Sequence, residues 1–343
     1  MATRVDVPTC ANAECRVAET GKCVEGLALE QCPHYGRAAS SPAEVLGSAA
    51  ADSESGTEQN RVQLPSGERL ATRDAASLMR AGEARVIALV APSDAGKTTL
   101  IASLYDLFQS ADVEQFRFAR SRTLRAFEQA CHDARAASRR VEPHTDHTPL
   151  GEVGFFHLGL FDQAAAAMLD VVFADRAGEH YRSAADDPSV AASFAEISRA
   201  DVITVLVDGR KLLDLGLRHN VRSEIELMLQ GLVDGDAVTH APRLALVLTK
   251  LDLIDTSPHK ALAGVAFEGM VQSVGRLFGR AFGVIEEFRV AASPATPVFP
   301  RGHGLARLLR FWAMPPARLV SQAAYAAAPL PERAIARLGP PEA

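Results

Sequence analysis

The sequence predicts an α/β protein, a three-layer sandwich whose mostly parallel sheet is covered by helices on both faces, with a small N-terminal cysteine-rich module. Two observations carry this. Through residues 62–313, short β-rich apolar runs alternate with longer helical patterns, as parallel strands joined by helical crossovers require. The 343 residues are 48% hydrophobic and 23% charged, the composition of a globular chain with an ample core.

The elements follow in order. Residues 1–35 are rich in cysteine and short of apolar periodicity. Residues 36–61 are Ala, Ser, Gly and acid, too little to bury, and read as a flexible linker. The first strand spans 86–90 and runs through a Gly/Ser/Asp turn into a helix from 98. Residues 110–150 form an arginine-rich insertion. Strands at 153–161 and 168–174 make a hairpin. Further strands at 202–207, 244–248 and 288–292 are interleaved with helices at 190–199, 221–232, 258–282 and 304–312. Residues 314–343 are an Ala/Pro-rich tail with one short helical stretch at 316–328.

Charge and cysteine usage exclude several classes. With 36 basic and 42 acidic residues, net −6, no global basic face points to nucleic acid. No run reaches the roughly 18 apolar residues of a membrane span, and Met1-Ala-Thr-Arg-Val-Asp lacks the apolar core of a signal peptide. Five cysteines, four of them within the first 32 residues, do not make a secreted disulfide scaffold. A cytoplasmic protein is expected. Only five of the 36 basic residues are lysines (Lys22, Lys97, Lys211, Lys250 and Lys260), so each lysine asks why it is not arginine.

Residues 91–98, Ala-Pro-Ser-Asp-Ala-Gly-Lys-Thr, stand between the first strand and its helix. They match the phosphate-binding pattern G-x-x-x-x-G-K-[ST] except for Ala91 at the first glycine. Backbone N–H groups from Ala91 through Asp94, Ala95 and Gly96 to Thr99 would face phosphate oxygens at a helix start. Gly96 admits close approach. Lys97 is a compact charge for the β- and γ-phosphates, and the Thr98 hydroxyl is a natural Mg²⁺ ligand. Ala91 does little harm if its φ stays negative.

Three later segments choose the base, in the order of the Ras-like P-loop GTPases, which this region resembles. Val171-Val-Phe-Ala-Asp175-Arg-Ala-Gly178 ends a strand in D-x-x-G. The resemblance implies that Asp175 holds Mg²⁺ through water and that the Gly178 amide senses the γ-phosphate. Leu246-Val-Leu-Thr249-Lys250-Leu251-Asp252 closes another strand in T-K-x-D, a variant of N-K-x-D. A carboxylate at Asp252 accepts two hydrogen bonds from guanine N1–H and the 2-amino group, an edge adenine does not offer, so the wrong base would leave it unpaired. Lys250 would lay its stem along the base. Thr249, in place of the commoner Asn, is expected to brace the phosphate loop less well. Near the third motif, S-A-K, stands Ser293-Pro294-Ala295. Pro294 has no N–H, so Ala292 or Ser293 would donate to guanine O6.

The same resemblance asks for a first-switch threonine on Mg²⁺. Thr148 is favoured over Thr145, and Thr123 is a poorer choice. An arginine of the insertion would act in cis on the γ-phosphate. Arg120, Arg122 and Arg125 are the candidates, with Arg122 assigned, although a solvated helical face is the plainer account of any one of them. Glu179 stands where many relatives carry the Gln that orients the attacking water. A carboxylate cannot also donate to phosphate and repels the anion, so slow turnover is expected. His180 reads as a loop residue, and Arg176 is equally suited to a salt bridge.

Cys10, Cys15, Cys23 and Cys32, with His34 two residues later, suggest tetrahedral Zn²⁺ that folds an otherwise coreless segment. Cys131 reads as a buried small apolar residue. Together, the Cys-rich start, the arginine-rich insertion, D-R-A-G-E and T-K-L-D resemble the GTPases of bacterial conflict systems, sometimes called double-GTPase systems. The resemblance implies a GTP/GDP- and Mg²⁺-dependent switch with weak hydrolysis and a protein partner, a second GTPase being the candidate. Two rivals fit the same residues: a non-hydrolysing adaptor that recruits partners through the zinc module, and a P-loop ATPase.

Overall fold

A computed structural model of the chain describes residues 65–139 and 153–316. The cysteine module, the linker, Thr145, Thr148 and residues 317–343 of the Ala/Pro tail lie outside the described residues. Helix α1 (Thr72–Ala81) leads into β1 (Ala84–Val90), which feeds α2 (Lys97–Ser110). Strand β2 (Phe116–Arg120) and α3 (Leu124–Arg139) come next, then the hairpin β3 (Gly154–Asp162) and β4 (Ala167–Asp175). Helices α4 (Gly178–Asp186), α5 (Pro188–Ala191) and α6 (Ala195–Ser198) precede β5 (Val202–Asp208). The chain continues through α7 (Gly209–Leu213), α8 (Arg218–Asp234), β6 (Arg243–Thr249), α9 (Leu251–Asp255), α10 (Lys260–Phe278), β7 (Ile285–Arg289) and α11 (Leu305–Ala313).

The strands form one seven-stranded sheet in the order β2-β3-β4-β1-β5-β6-β7. Strands β4, β1, β5, β6 and β7 run parallel, and β2 and β3 are added antiparallel at one side. The three-layer expectation is met. Side chains alternate between faces, so Ile87 and Leu89 join the core under α2, α3 and α11, while Ala88 and Val90 join the one under α4, α8 and α10. Because both faces are covered, β5 and β6 are buried at every position and read in sequence as continuous apolar runs.

Three elements depart from expectation. The single helix expected at 190–199 is two short ones, α5 and α6, because the chain turns between them to bury Phe194 against Tyr181. The last strand begins at Ile285 rather than 288. It is an edge strand carrying Glu286 and Glu287, and edge strands favour charge over apolar runs. The described part of the arginine-rich insertion, residues 110–139, is built structure: α3 buries Phe127, Ala130, Cys131 and Ala134 at helical spacing, and Phe127 stacks on Tyr105 of α2. Cys131 is buried, its thiol 3.4 Å from Ala102 O, as expected.

Helix α11 closes one face. Fully buried Trp312 donates from Nε1 to the Thr204 hydroxyl at 2.9 Å and meets Phe173 edge-on. The carbonyls that a helix end leaves unpaired are taken by arginine: Arg243 donates to Phe311 O and Met314 O, and Arg85 Nε to Met314 O. Trp312→Ala should therefore lower the unfolding free energy by about 3–5 kcal/mol. Urea titration checks this; a loss below about 1 kcal/mol would remove Trp312 from the core account.

Candidate functional site

In a parallel sheet the carboxyl ends of the strands share one edge, and the crevice opens where strand order reverses. That place is the end of β1, between β4 and β5. Asp175 ends β4 opposite Leu89, and Asp208 ends β5 opposite Thr249, the end of β6. Four strand ends thus deliver the phosphate loop, D-x-x-G, Asp208 and T-K-x-D to one rim.

Residues 91–96 turn from β1 into α2. Gly96 caps the helix at φ +94°, and its carbonyl accepts from Leu100 N at 2.9 Å. A side chain there would be strained in the left-handed region. Asp94 is also left-handed, at φ +64°, and Ala91 is not among the positive-φ residues. Ala91 and Ala95 are buried, and Lys97, Thr98 and Thr99 are half-buried at the helix start. Burial holds the Lys97 ammonium below the usual lysine pKa, against the opposing pull of Asp175 and Glu179.

The T-K-x-D segment grips this loop. The Thr249 hydroxyl lies 3.0 Å from Ala95 O and 3.2 Å from Val207 O, its one proton shared between them. Lys250, itself left-handed at φ +54°, donates from Nζ to Asp94 O and to Asp208 Oδ2, both at 2.9 Å. Thr249 therefore braces the loop directly, its short hydroxyl sitting beside Ala95 O. Asp252 is buried, and its Oδ2 accepts from Ala295 N at 2.9 Å. The amide that follows Pro294 thus orients the carboxylate. Ser293 is half-buried in the same turn.

At the other end, Gly178 opens α4 against the loop backbone. A Cβ there would lie 2.4 Å from Ala91 O, so the position needs glycine for close approach. Glu179 is exposed in the first turn of α4, and His180 is half-buried. Arg176 is turned away: it pairs with buried Glu196 through Nε and Nη2, over the Phe194 ring at 4.6 Å, with the Tyr181 hydroxyl also on Glu196.

A family model, Double-GTPase 2, matches residues 85–313. The chain belongs to the Double-GTPase 2 family. No curated protein matches it. Among solved structures, it is similar to the signal recognition particle receptor SRb-GTP/SRX complex from Chaetomium thermophilum: 13% identity, TM-score 0.37, covering 67% of this chain and 96% of that one. It is also similar to an ADP-ribosylation-factor-like GTP-binding protein (small COPII coat GTPase SAR1) from Encephalitozoon cuniculi in complex with GDP: 14% identity, TM-score 0.31, covering 71% and 92%. A third is the GTP-bound S. cerevisiae Ski7 GTPase-like domain, at 13% identity and TM-score 0.37, covering 69% of this chain and 51% of that chain.

In this Double-GTPase 2 chain the three candidate arginines have these partners. Arg120 pairs with Asp170 and Arg125 with Glu68. The Arg122 N–H donates to His157 Nδ1, and His157 sits level with Val172 and Val86. At ~3.3 Å per residue, that is about 16 Å short of the loop at Ala91. The Arg122 backbone is placed away from the phosphate loop. Thr123 is also fixed elsewhere: its hydroxyl accepts from His157 N. Sequence reasoning missed Asp208, the Ala295 amide and Arg69, whose Nη1 lies 3.5 Å from Asp175 Oδ2. Asp208 followed by glycine at a strand end was a usable signal; Arg69 left none.

Thr249→Val keeps the shape of the side chain but removes the donor to Ala95 O. It should lower stability by about 1–2 kcal/mol and speed release of fluorescent GDP on the order of tenfold, while Thr249→Ser stays near wild type. Unchanged release from Thr249→Val would contradict the brace.

Proposed function

We propose that this chain is a Mg²⁺-dependent GTP-binding switch that hydrolyses GTP slowly. The observation that carries the reading is the direct fastening of T-K-x-D to the phosphate loop through Thr249 and Lys250. A P-loop that merely bound phosphate would not need a base-reading segment tied to it.

In this reading the loop amides from Ala91 to Thr99, with Lys97, take the phosphates. Partial burial has already stripped Lys97 of much of its water, so a phosphate anion is a favourable partner. Thr98 and Asp175 are hard oxygen donors at the helix start and the facing strand end, a set that suits Mg²⁺. The ion supplies electrostatic stabilisation of phosphate charge. Asp252 and Lys250 read the base, with the amides of the 293–295 turn beside them, and Gly178 responds to the γ-phosphate. Glu179 accepts a hydrogen bond from water but offers phosphate only repulsion, which supports slow turnover.

The family name supports a second GTPase as partner, and the sequence resemblance to conflict-system GTPases supports a bacterial defence setting. Among the described residues no helix is long and apolar enough to cross a membrane; a cytoplasmic site of action suits the cysteine usage. The zinc ligands Cys10, Cys15, Cys23 and Cys32, and a recruiting role for their module, rest on sequence spacing alone.

Single-turnover hydrolysis of GTP preloaded on the full chain tests the proposal. Phosphate should appear over hours, and Glu179→Gln should accelerate it on the order of tenfold, about 1.4 kcal/mol of barrier. Tight binding with no phosphate release would favour the non-hydrolysing adaptor.

A further inference from the structure

The described residues hold one cation at the D-x-x-G aspartate that the motifs do not account for. Arg69 lies upstream of every motif, yet its Nη1 is 3.5 Å from Asp175 Oδ2. Its backbone neighbours put it there. Leu70 and Phe155 exchange two backbone hydrogen bonds, Leu70 N to Phe155 O at 2.9 Å and Phe155 N to Leu70 O at 3.0 Å. This bridge lays Arg69 across Gly154, the residue opposite Asp175 in the β3–β4 register. Gly154 leaves it room, since a Cβ there would lie 3.1 Å from Arg69 Cδ.

The segment is fastened on its other side as well. Gly67, at φ +80°, accepts from Ala126 N, and Glu68 pairs with Arg125 at the start of α3. Arg69 is thus aimed by a short fixed strip of chain. The pair is lopsided: the Arg69 side chain is 36% exposed and that of Asp175 only 2%. The carboxylate is fixed in place, whereas the guanidinium, on a flexible stem at the surface, leaves at little cost.

We propose that Arg69 is a built-in counter-cation of Asp175 that competes with the divalent metal for this carboxylate. Metal entry displaces the guanidinium, so the metal affinity of the nucleotide complex is set lower than the oxygen donors alone would give. The proposal rests on the reading of Asp175 as the magnesium aspartate. Displacement also frees the Arg69 guanidinium from Asp175 at the end of β4, while the Leu70–Phe155 backbone pair keeps the strip on β3.

The test is release of fluorescent GDP from the full-length protein, followed from EDTA alone to 10 mM Mg²⁺. Arg69→Gln should move the midpoint of the Mg²⁺ dependence to about fivefold lower concentration, the size expected for a half-exposed ion pair. Its release rate in EDTA should stay within about twofold of wild type. Arg69→Lys, which keeps the charge, should hold the midpoint near wild type. An unchanged or raised midpoint in Arg69→Gln overturns the proposal, as does an equal shift in Arg69→Lys. Release from Arg69→Gln in EDTA that is tenfold faster would place Arg69 on the phosphates and overturn it too. If wild-type release ignores Mg²⁺ altogether, the reading of Asp175 fails, and the proposal with it.

Discussion

The phosphate loop of this chain is held from outside itself. Its backbone makes a sparse set of internal bonds, Ala95 N reaching Pro92 O only at 3.4 Å, and two of its six residues before the helix are left-handed. Such a turn keeps its shape only if neighbours over-determine it. Thr249 and Lys250 do so by donating to the carbonyls of Ala95 and Asp94. Asp208 in turn anchors Lys250, and Ala295 anchors Asp252. The T-K-x-D segment and the loop are therefore one hydrogen-bonded unit spanning β1, β5 and β6.

The opposite rim of the loop is governed by close approach rather than by hydrogen bonds. Gly178 lies against the Ala91 carbonyl with no space for a methyl group, and the next helix starts there. Arg176, adjacent to Asp175 in sequence, is withdrawn into a pocket of Glu196, Tyr181 and Phe194. Removing either partner of that pair would strand a buried charge, so the α4–α6 region is tied to the D-x-x-G turn.

Much of this was legible in the sequence because buried parallel strands advertise themselves. Val202–Asp208 and Arg243–Thr249 are buried along their whole length, and the motif residues at their ends sit where register demands. Less legible were the edges. Strands β2 and β7 carry Arg117, Arg120, Glu286 and Glu287, and their pairing owes little to apolar pattern. Arg120, expected near phosphate, instead reaches from the surface to a buried pair: His157 Nε2 donates to Asp170, which also accepts from Arg120. Burial, together with Arg120 and Arg122, lowers the pKa of that histidine against the pull of Asp170. Long-range partners were invisible. Nothing near Arg69 in sequence points to Asp175, and the amide of Ala295 was hidden behind a proline that drew attention to its own missing N–H.

The central claim is that the rim formed by β1, β5, β6 and the 293–295 turn reads a guanine nucleotide as a single unit. Competition against bound fluorescent GDP tests it most directly, with GDP, ADP and xanthosine diphosphate as competitors on wild type and Asp252→Asn. The account predicts that ADP fails to compete even at about a thousandfold excess over GDP, as expected when a polar site meets the wrong base. It also predicts that Asp252→Asn loses GDP and gains xanthosine diphosphate. Equal competition by ADP, or an Asp252→Asn protein that still prefers GDP, would contradict it.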